Sequence, residues 1–270
     1  MTNWLLISLV SFLLLAGIGC SKGNSIILAT TTSTQDSGLL DVLVPMFEEE
    51  YGYEVKTIAV GSGQAIRLGA EGEADVVLSH TPIGEDIFVQ LGHSESRREV
   101  MHNDFVILGP VDDPAQASGA ESAAGALVRI ADAESIFMSR GDESGTHGKE
   151  LVLWSDAGVD PGGSWYQETG QGMGATLTVT NEKRGYTLSD RGTFLAQRES
   201  FDLGVVFEGD PKLFNPYTVM VVNPEKHAKV NVEGARAFAE FITSASAQEV
   251  IRTFGVEEFG EPLFVPDAIE

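Results

Sequence analysis

The apolar positions of this chain form short β-rich runs separated by stretches with helical spacing. After an apolar block at the start, Ile26 to Ala29 reads as a strand. Leu39, Leu40, Leu43 and Phe47 then recur at the period of an amphipathic helix, which Pro45 is expected to kink. Glu54 to Val60 predicts a second strand, Gln64 to Gly69 a short helix, and Ala74 to Leu78 a buried strand. Strands that alternate with helices predict parallel α/β layers.

A second series follows. Asp104 to Gly109 predicts a strand that Pro110 interrupts, and Ser135 to Ser139 a strand leading to Arg140. Helical spacing covers His147 to Ala157, where Leu151, Val152 and Trp154 are available for packing. It returns over Gly172 to Glu182 and Asp190 to Arg198. Leu203 to Phe207 and Pro216 to Val222 predict strands, and helices over Val232 to Thr243 and Ala245 to Thr253 close the pattern. A chain that enters a second unit near 108 and leaves it near 217 crosses twice. The expected fold is therefore α/β, with two Rossmann-like lobes joined by a two-strand hinge: lobe 1 from 26–107 and 217–270, lobe 2 from 108–216. A cleft between such lobes is a favoured ligand site.

The first residues call for a separate reading. Trp4 to Ile18 is apolar but shorter than the roughly 20 residues of a membrane span. Small residues and the chain's only cysteine follow, Ala16-Gly17-Ile18-Gly19-Cys20. This pattern resembles a bacterial or archaeal lipoprotein signal, with 1–20 as signal peptide, Cys20 as the lipidated residue and 21–25 as a flexible tether. It departs from that pattern in having no cation in Met1-Thr2-Asn3 and in Gly17, where a larger aliphatic residue is usual. An uncleaved anchor and a buried helix are the alternatives.

Composition narrows the function classes. The 270 residues are 43% hydrophobic, enough for sizeable cores, and carry 17 basic against 40 acidic residues, a net charge of −23. The chain has no run of Lys or Arg, so nucleic acid is not an expected partner. An anion binder of this charge must attract its ligand through local donors, because the global field opposes it.

Local donors cluster in four places. Thr30-Thr31-Thr32-Ser33-Thr34 follows a strand and precedes a helix, either as a cap run or as an anion site built from hydroxyls and amides. Gly61-Ser62-Gly63 repeats that placement, either as a tight turn or with Ser62 as a donor. Ser139-Arg140-Gly141-Asp142-Glu143-Ser144-Gly145-Thr146-His147 sets a permanent cation beside hydroxyls at a helix start. Arg140 there either traps an anion or pairs with Asp142 or Glu143. In the last cluster Gly172 or Gly174 starts a helix, and Ser189 or Asp190 caps the helix carrying Arg191. Arg191 is either a second cation for the ligand or the partner of Asp190 or Asp202.

Taken together, Leu28 to Leu40, Gly61 to Ala65, Asn103 to Pro110, Ser139 to Glu150 and Thr169 to Phe194 resemble the tungstate-binding proteins of bacterial and archaeal ABC importers. The resemblance implies a periplasmic-binding-protein-like fold of type II that closes on one oxyanion. It makes Thr31, Ser33, Ser62, Arg140 and Thr146 the expected contacts, with Thr32, Ser144, Gly145 and Arg191 beside them. It also implies a monomer outside the cytoplasm, periplasmic or lipid-anchored to the membrane through Cys20, that serves an ABC permease and its ATPase. Tungsten would enter only as tungstate, or molybdenum as molybdate, so no cofactor and no metal site is expected. Phosphate- or sulfate-binding relatives and an oxyanion sensor are the alternatives. Because phosphate carries a proton at neutral pH, a carboxylate such as Asp36, Asp142 or Asp190 against the ligand would favour phosphate.

An enzyme is not expected. Gly141 to Gly145 reads Gly-x-x-Ser-Gly rather than the Gly-x-Ser-x-Gly of a nucleophile elbow. His80, His93, His102 and His227 lack metal-ligand spacing, and Cys20 is consumed by the signal.

Overall fold

The computed structural model describes residues 23–268, so the signal segment and Cys20 lie outside the described residues. The chain runs β1 (Ser25–Thr31), α1 (Thr32–Asp36), α2 (Leu39–Tyr51), β2 (Glu54–Val60), α3 (Ser62–Glu71), β3 (Val76–Ser79), α4 (Pro82–Gln90) and β4 (Ser94–Pro110). It continues with α5 (Ala123–Asp132), β5 (Phe137–Ser139), α6 (Gly145–Ala157), β6 (Tyr166–Glu168), α7 (Met173–Lys183), β7 (Thr187–Asp190), α8 (Arg191–Gln197) and β8 (Leu203–Phe207). β9 (Phe214–Val222), α9 (Val232–Ile242), α10 (Ala245–Thr253), α11 (Val256–Phe259) and β10 (Val265–Pro266) complete it. Ser25 already pairs in β1, so the tether ends sooner than expected. Among the described residues no helix is long and apolar enough to cross a membrane.

The main sheet has the order β10-β4-β9-β3-β1-β2. β1 runs parallel to β2 and β3, with helices supplying the crossovers that parallel strands need. β9 and β4 run antiparallel, so the parallel layers expected from the alternation make up only part of a mixed sheet. β4 is the spine of the molecule. Its Ser94–Asp104 half pairs with β9, and from Phe105 to Pro110 it pairs instead with β7 and β8. One strand thus belongs to both lobes. β9 is the second crossing, paired with β4 from Phe214 onward.

Hydrophobic residues fill both faces of the main sheet. On one face Phe47 meets Phe238 edge-on at 5.2 Å, locking α2 to α9. On the other Val77, Phe88 and Met220 pack together. In lobe 2, Trp154 meets Phe137 edge-on at 5.1 Å inside a cluster with Tyr186. Full burial of a ring such as Phe137 contributes about 3 kcal/mol. Leu153 and Trp154 are the buried pair on α6, whereas Leu151 and Val152, expected to pack, are each 47% exposed. Val152 borders a cavity with Pro82, Phe105 and Phe214. α2 is one helix from Leu39 to Tyr51 with Pro45 inside it.

Candidate functional site

The lobe 1 wall is built from two strand ends. β1 delivers a buried Thr31 that caps α1, accepting from the Thr34 amide at 3.3 Å. Its hydroxyl also lies 3.2 Å from that of Ser33 and 2.6 Å from that of Thr34. β2 ends at Val60, and Gly61 turns the chain so that a buried Ser62 opens α3.

The lobe 2 wall follows β5. Arg140 leaves the strand end only 3% exposed. Gly141 then takes a left-handed φ of +59°, and a Cβ there would stand 2.7 Å from Cβ of Glu168, so the turn needs glycine. Glu143 is also left-handed, at +57°. The loop is pinned from inside: the Ser144 amide donates to Asp142 Oδ1 at 3.2 Å, and the Glu143 amide to His147 Nδ1 at 3.1 Å. Ser144 caps α6 by accepting from the His147 amide at 3.2 Å. Arg140 Nη2 donates to Asp142 Oδ2 at 2.5 Å and Nη1 reaches Thr146 Oγ1 at 3.5 Å, while Nε is buried with no partner among the described residues.

Below this loop lies a buried carboxylate. Glu150 accepts from the hydroxyls of Ser139 and Tyr166, each at 2.8 Å, and from Trp154 Nε1 at 3.2 Å. Burial pushes its carboxyl up to about 7.

The walls touch where α3 and α6 begin. The Gly145 amide donates to Ser62 Oγ at 3.2 Å, and His80 packs against the same glycine. His80 links the site to the hinge. Its Nε2 is 3.3 Å from Ser33 Oγ and its Nδ1 is 2.9 Å from Asn215 Oδ1. Asn215 donates through Nδ2 to Asn103 Oδ1 at 2.7 Å and to the Tyr217 oxygen, so its Oδ1 must receive the Nδ1 proton of His80. His80 Nε2 is then an acceptor, and the Ser33 hydroxyl points its proton at it. Burial is the main cause that lowers the His80 pKa and keeps the ring neutral. Asn103 and Asn215 lie on the two crossing strands, so a chain of hydrogen bonds runs from Ser33 through His80 to the hinge.

A cavity of about 250 Å³ opens between the walls, lined by residues that include Thr32, Gly61, Arg67, Arg140, Asp142 and Gly172. Gly172 caps the start of α7. Thr31, Thr32, Ser33, Ser62, Arg140, Ser144, Gly145 and Thr146 therefore come together through direct contacts or this shared wall. Arg191 does not join them. It donates through Nε and Nη2 to Asp104 at 2.6 and 2.7 Å and also to Glu208, which raises its pKa further. Its partners are thus neither Asp190 nor Asp202, and Asp190 instead caps α8 by accepting from the Thr193 amide at 2.8 Å. Arg191 lines a larger cavity of about 410 Å³, bordered by His102 and Phe214. That cavity holds none of the hydroxyl clusters, so the chemistry assigns the site to the smaller one.

Converging hydroxyls, helix-start amides and a buried guanidinium suit a ligand that only accepts hydrogen bonds. The spacing of motifs singled out neither Arg67 nor His80. His80 follows a buried strand directly, as the threonine run does, and that position was its one signal.

The PBP superfamily domain matches residues 20–246. The tungstate-binding protein TupA of Peptoclostridium acidaminophilum is 48% identical over 250 residues, covering 92% of this chain and 87% of that one. The crystal structure of the tungstate ABC transporter from Geobacter sulfurreducens superposes with a TM-score of 0.79 at 48% identity, over 85% of this chain and 98% of its own. The tungstate-binding protein TupA of Desulfovibrio alaskensis G20 gives 0.77 at 40% identity, over 91% and 99%.

Proposed function

The chain belongs to the PBP superfamily and, within it, to the tungstate-binding proteins, and from that premise we propose that it binds tungstate between its lobes and hands it to an ABC importer. The observation that carries this reading is the buried Arg140 guanidinium beside a cavity that Thr32 and Gly61 share from the opposite lobe. Tungstate is a dianion without a proton to donate, so every contact must come from a protein donor. Closure removes water and strengthens each of those contacts. It need only shift an equilibrium between open and closed lobes.

Asp142 lines the same cavity, and its oxygens accept from Arg140 and from the Ser144 amide, which ties its charge to the guanidinium. Each oxygen keeps a second lone pair that the proton of a bound phosphate could use, so the choice between tungstate and phosphate rests on titration. The protein is a binding component with no bond-making step. Ser144 Oγ accepts from the backbone of His147, and the ring of His147 accepts from Glu143, so the pair is not arranged as nucleophile and base. The site of action is extracytoplasmic, as a periplasmic monomer or anchored to the membrane by a lipidated Cys20, with a permease and its ATPase as partners.

Isothermal titration with tungstate, molybdate, sulfate and phosphate tests this. Saturable tungstate binding that sulfate and phosphate do not displace at equal concentration is the expected result. Phosphate binding without tungstate binding moves the chain to the phosphate readers, and no heat with any of the four sinks the transport reading. Mass spectrometry of the membrane fraction checks the anchor, since Cys20→Ala should release the protein from it.

A smaller prediction concerns the contact between lobes. A Cβ on Gly145 would stand 2.9 Å from Ser62 Oγ and 3.3 Å from the His80 ring. Gly145→Ala should therefore prop the α3 and α6 starts apart and weaken tungstate binding by about tenfold, a misfit of roughly 1.4 kcal/mol. An unchanged Kd by titration would mean that the two helix starts do not need this approach in the bound state.

A further inference from the structure

Arg67 differs from the other arginines of the chain. They pair with carboxylates, as Arg97, Arg184 and Arg236 do, or donate to hydroxyl or carbonyl oxygens, as Arg98, Arg129 and Arg198 do. Arg67 makes no hydrogen bond or ion pair among the described residues, yet it lines the cavity that holds Arg140. Its Nη1 lies 3.7 Å from the point where a Cβ on Gly63 would stand, and the Glu143 carbonyl lies 4.0 Å from that same point. The guanidinium therefore sits over the first turn of α3, on the side facing the 141–144 loop of lobe 2.

The charges around the cavity give this position its meaning. Its lining has two cations, Arg67 and Arg140, and two carboxylates, Asp142 and Glu143. Arg140 is already matched by Asp142, and the whole chain carries −23. Without Arg67 the walls would be net negative and would repel any anion in proportion to its charge. Hydroxyls and amides recognise oxygens by direction and distance, which tungstate shares with a tetrahedral monoanion such as perrhenate. Coulomb energy, in contrast, is linear in the charge of the ligand.

We propose that Arg67 is the charge-selecting residue of the site, the group that favours a dianion over a monoanion of the same shape. The proposal rests on the oxyanion reading above. Its signature follows from the linearity: the fold-loss for a dianion is the square of the fold-loss for a monoanion. Arg67 is exposed and unpaired, and glutamine keeps its helix propensity, so substitution should leave the fold intact.

The test is titration of tungstate, and of perrhenate by competition, against Arg67→Gln, Arg67→Lys and Arg67→Glu at low ionic strength. For Arg67→Gln the expected losses are about tenfold for perrhenate and about a hundredfold for tungstate. Arg67→Lys should keep the wild-type ratio, and Arg67→Glu should add a second step of equal size in log Kd for tungstate. Added salt should shrink all of these differences. Equal losses for the two ions, or a tungstate Kd that is the same in Arg67, Gln and Glu proteins, overturns the charge-selecting role. If the wild-type protein binds neither ion, the oxyanion reading itself falls.

Discussion

Arg140→Ala is expected to weaken tungstate binding by roughly 30- to 5,000-fold, the equivalent of about 2–5 kcal/mol for truncating one side of a buried, hydrogen-bonded charge pair. The guanidinium is almost wholly buried, and its Nε has no partner among the described residues. An oxyanion beside it therefore gains a donor whose desolvation folding has already imposed. Nη1 at 3.5 Å from Thr146 is a loose contact that a ligand oxygen can improve on. The alanine protein also leaves Asp142 without its cation, so the carboxylate turns from a clamp into a repulsive wall. Arg140→Ala with Asp142→Asn should for that reason bind better than Arg140→Ala alone. Arg140→Lys keeps the charge but loses the planar fork, and should recover only part of the affinity. A Kd for Arg140→Ala within threefold of wild type, in a protein with an unchanged thermal midpoint, would remove Arg140 from the site.

The sequence made legible those parts of the molecule whose signal is local. β2 appears at its predicted bounds, and α2 follows its apolar spacing from Leu39 to Phe47. The first half of β4 was hidden because Ser94-Glu95-Ser96-Arg97-Arg98-Glu99 is largely polar. Its strand character comes from pairing with β9, more than a hundred residues away in sequence, which no window can contain. α5 carries a local signal as well, since Ser122 caps it and the buried Ala123, Ala126, Leu127 and Ile130 recur at helical spacing, but four alanines and a glycine in ten residues make its apolar face shallow. In the site, hydroxyls placed after strands and before helices were visible because strand ends and helix starts fall at one edge of an α/β sheet. Arg191 carried the same local signal, yet Asp104 and Glu208 reach it from distant segments. Arg67 looked like an ordinary polar position on an amphipathic helix, and only the position of the second lobe makes it face the cavity.

Glu150→Gln should change how stability depends on pH. The Glu150 carboxyl titrates near 4.5 when unfolded and near 7 in the folded protein, with burial the main cause. Between those values folding takes up a proton, so stability falls as pH rises through the window and the loss is complete above it. A difference of that size amounts to ~3 kcal/mol at pH 8. Glutamine is neutral throughout, and it can still accept from Tyr166 and Trp154. Its amide would face the hydroxyl of Ser139, which already accepts from the Gly141 amide and must give up its own donation, a loss of about 1 kcal/mol. The variant should therefore be slightly less stable than wild type near pH 4.5 and more stable, by ~2 kcal/mol, at pH 8. Asp36 and Glu85 are also raised by burial, so the informative quantity is the difference between the two proteins across pH, which cancels their contribution. Denaturant melts at pH 4.5, 6 and 8 measure it, and parallel curves for the two proteins would mean that the Glu150 carboxyl is not raised by folding. Ser139 precedes Arg140 directly, so crossing curves accompanied by an altered tungstate Kd would show that this buried proton also holds the arginine in place.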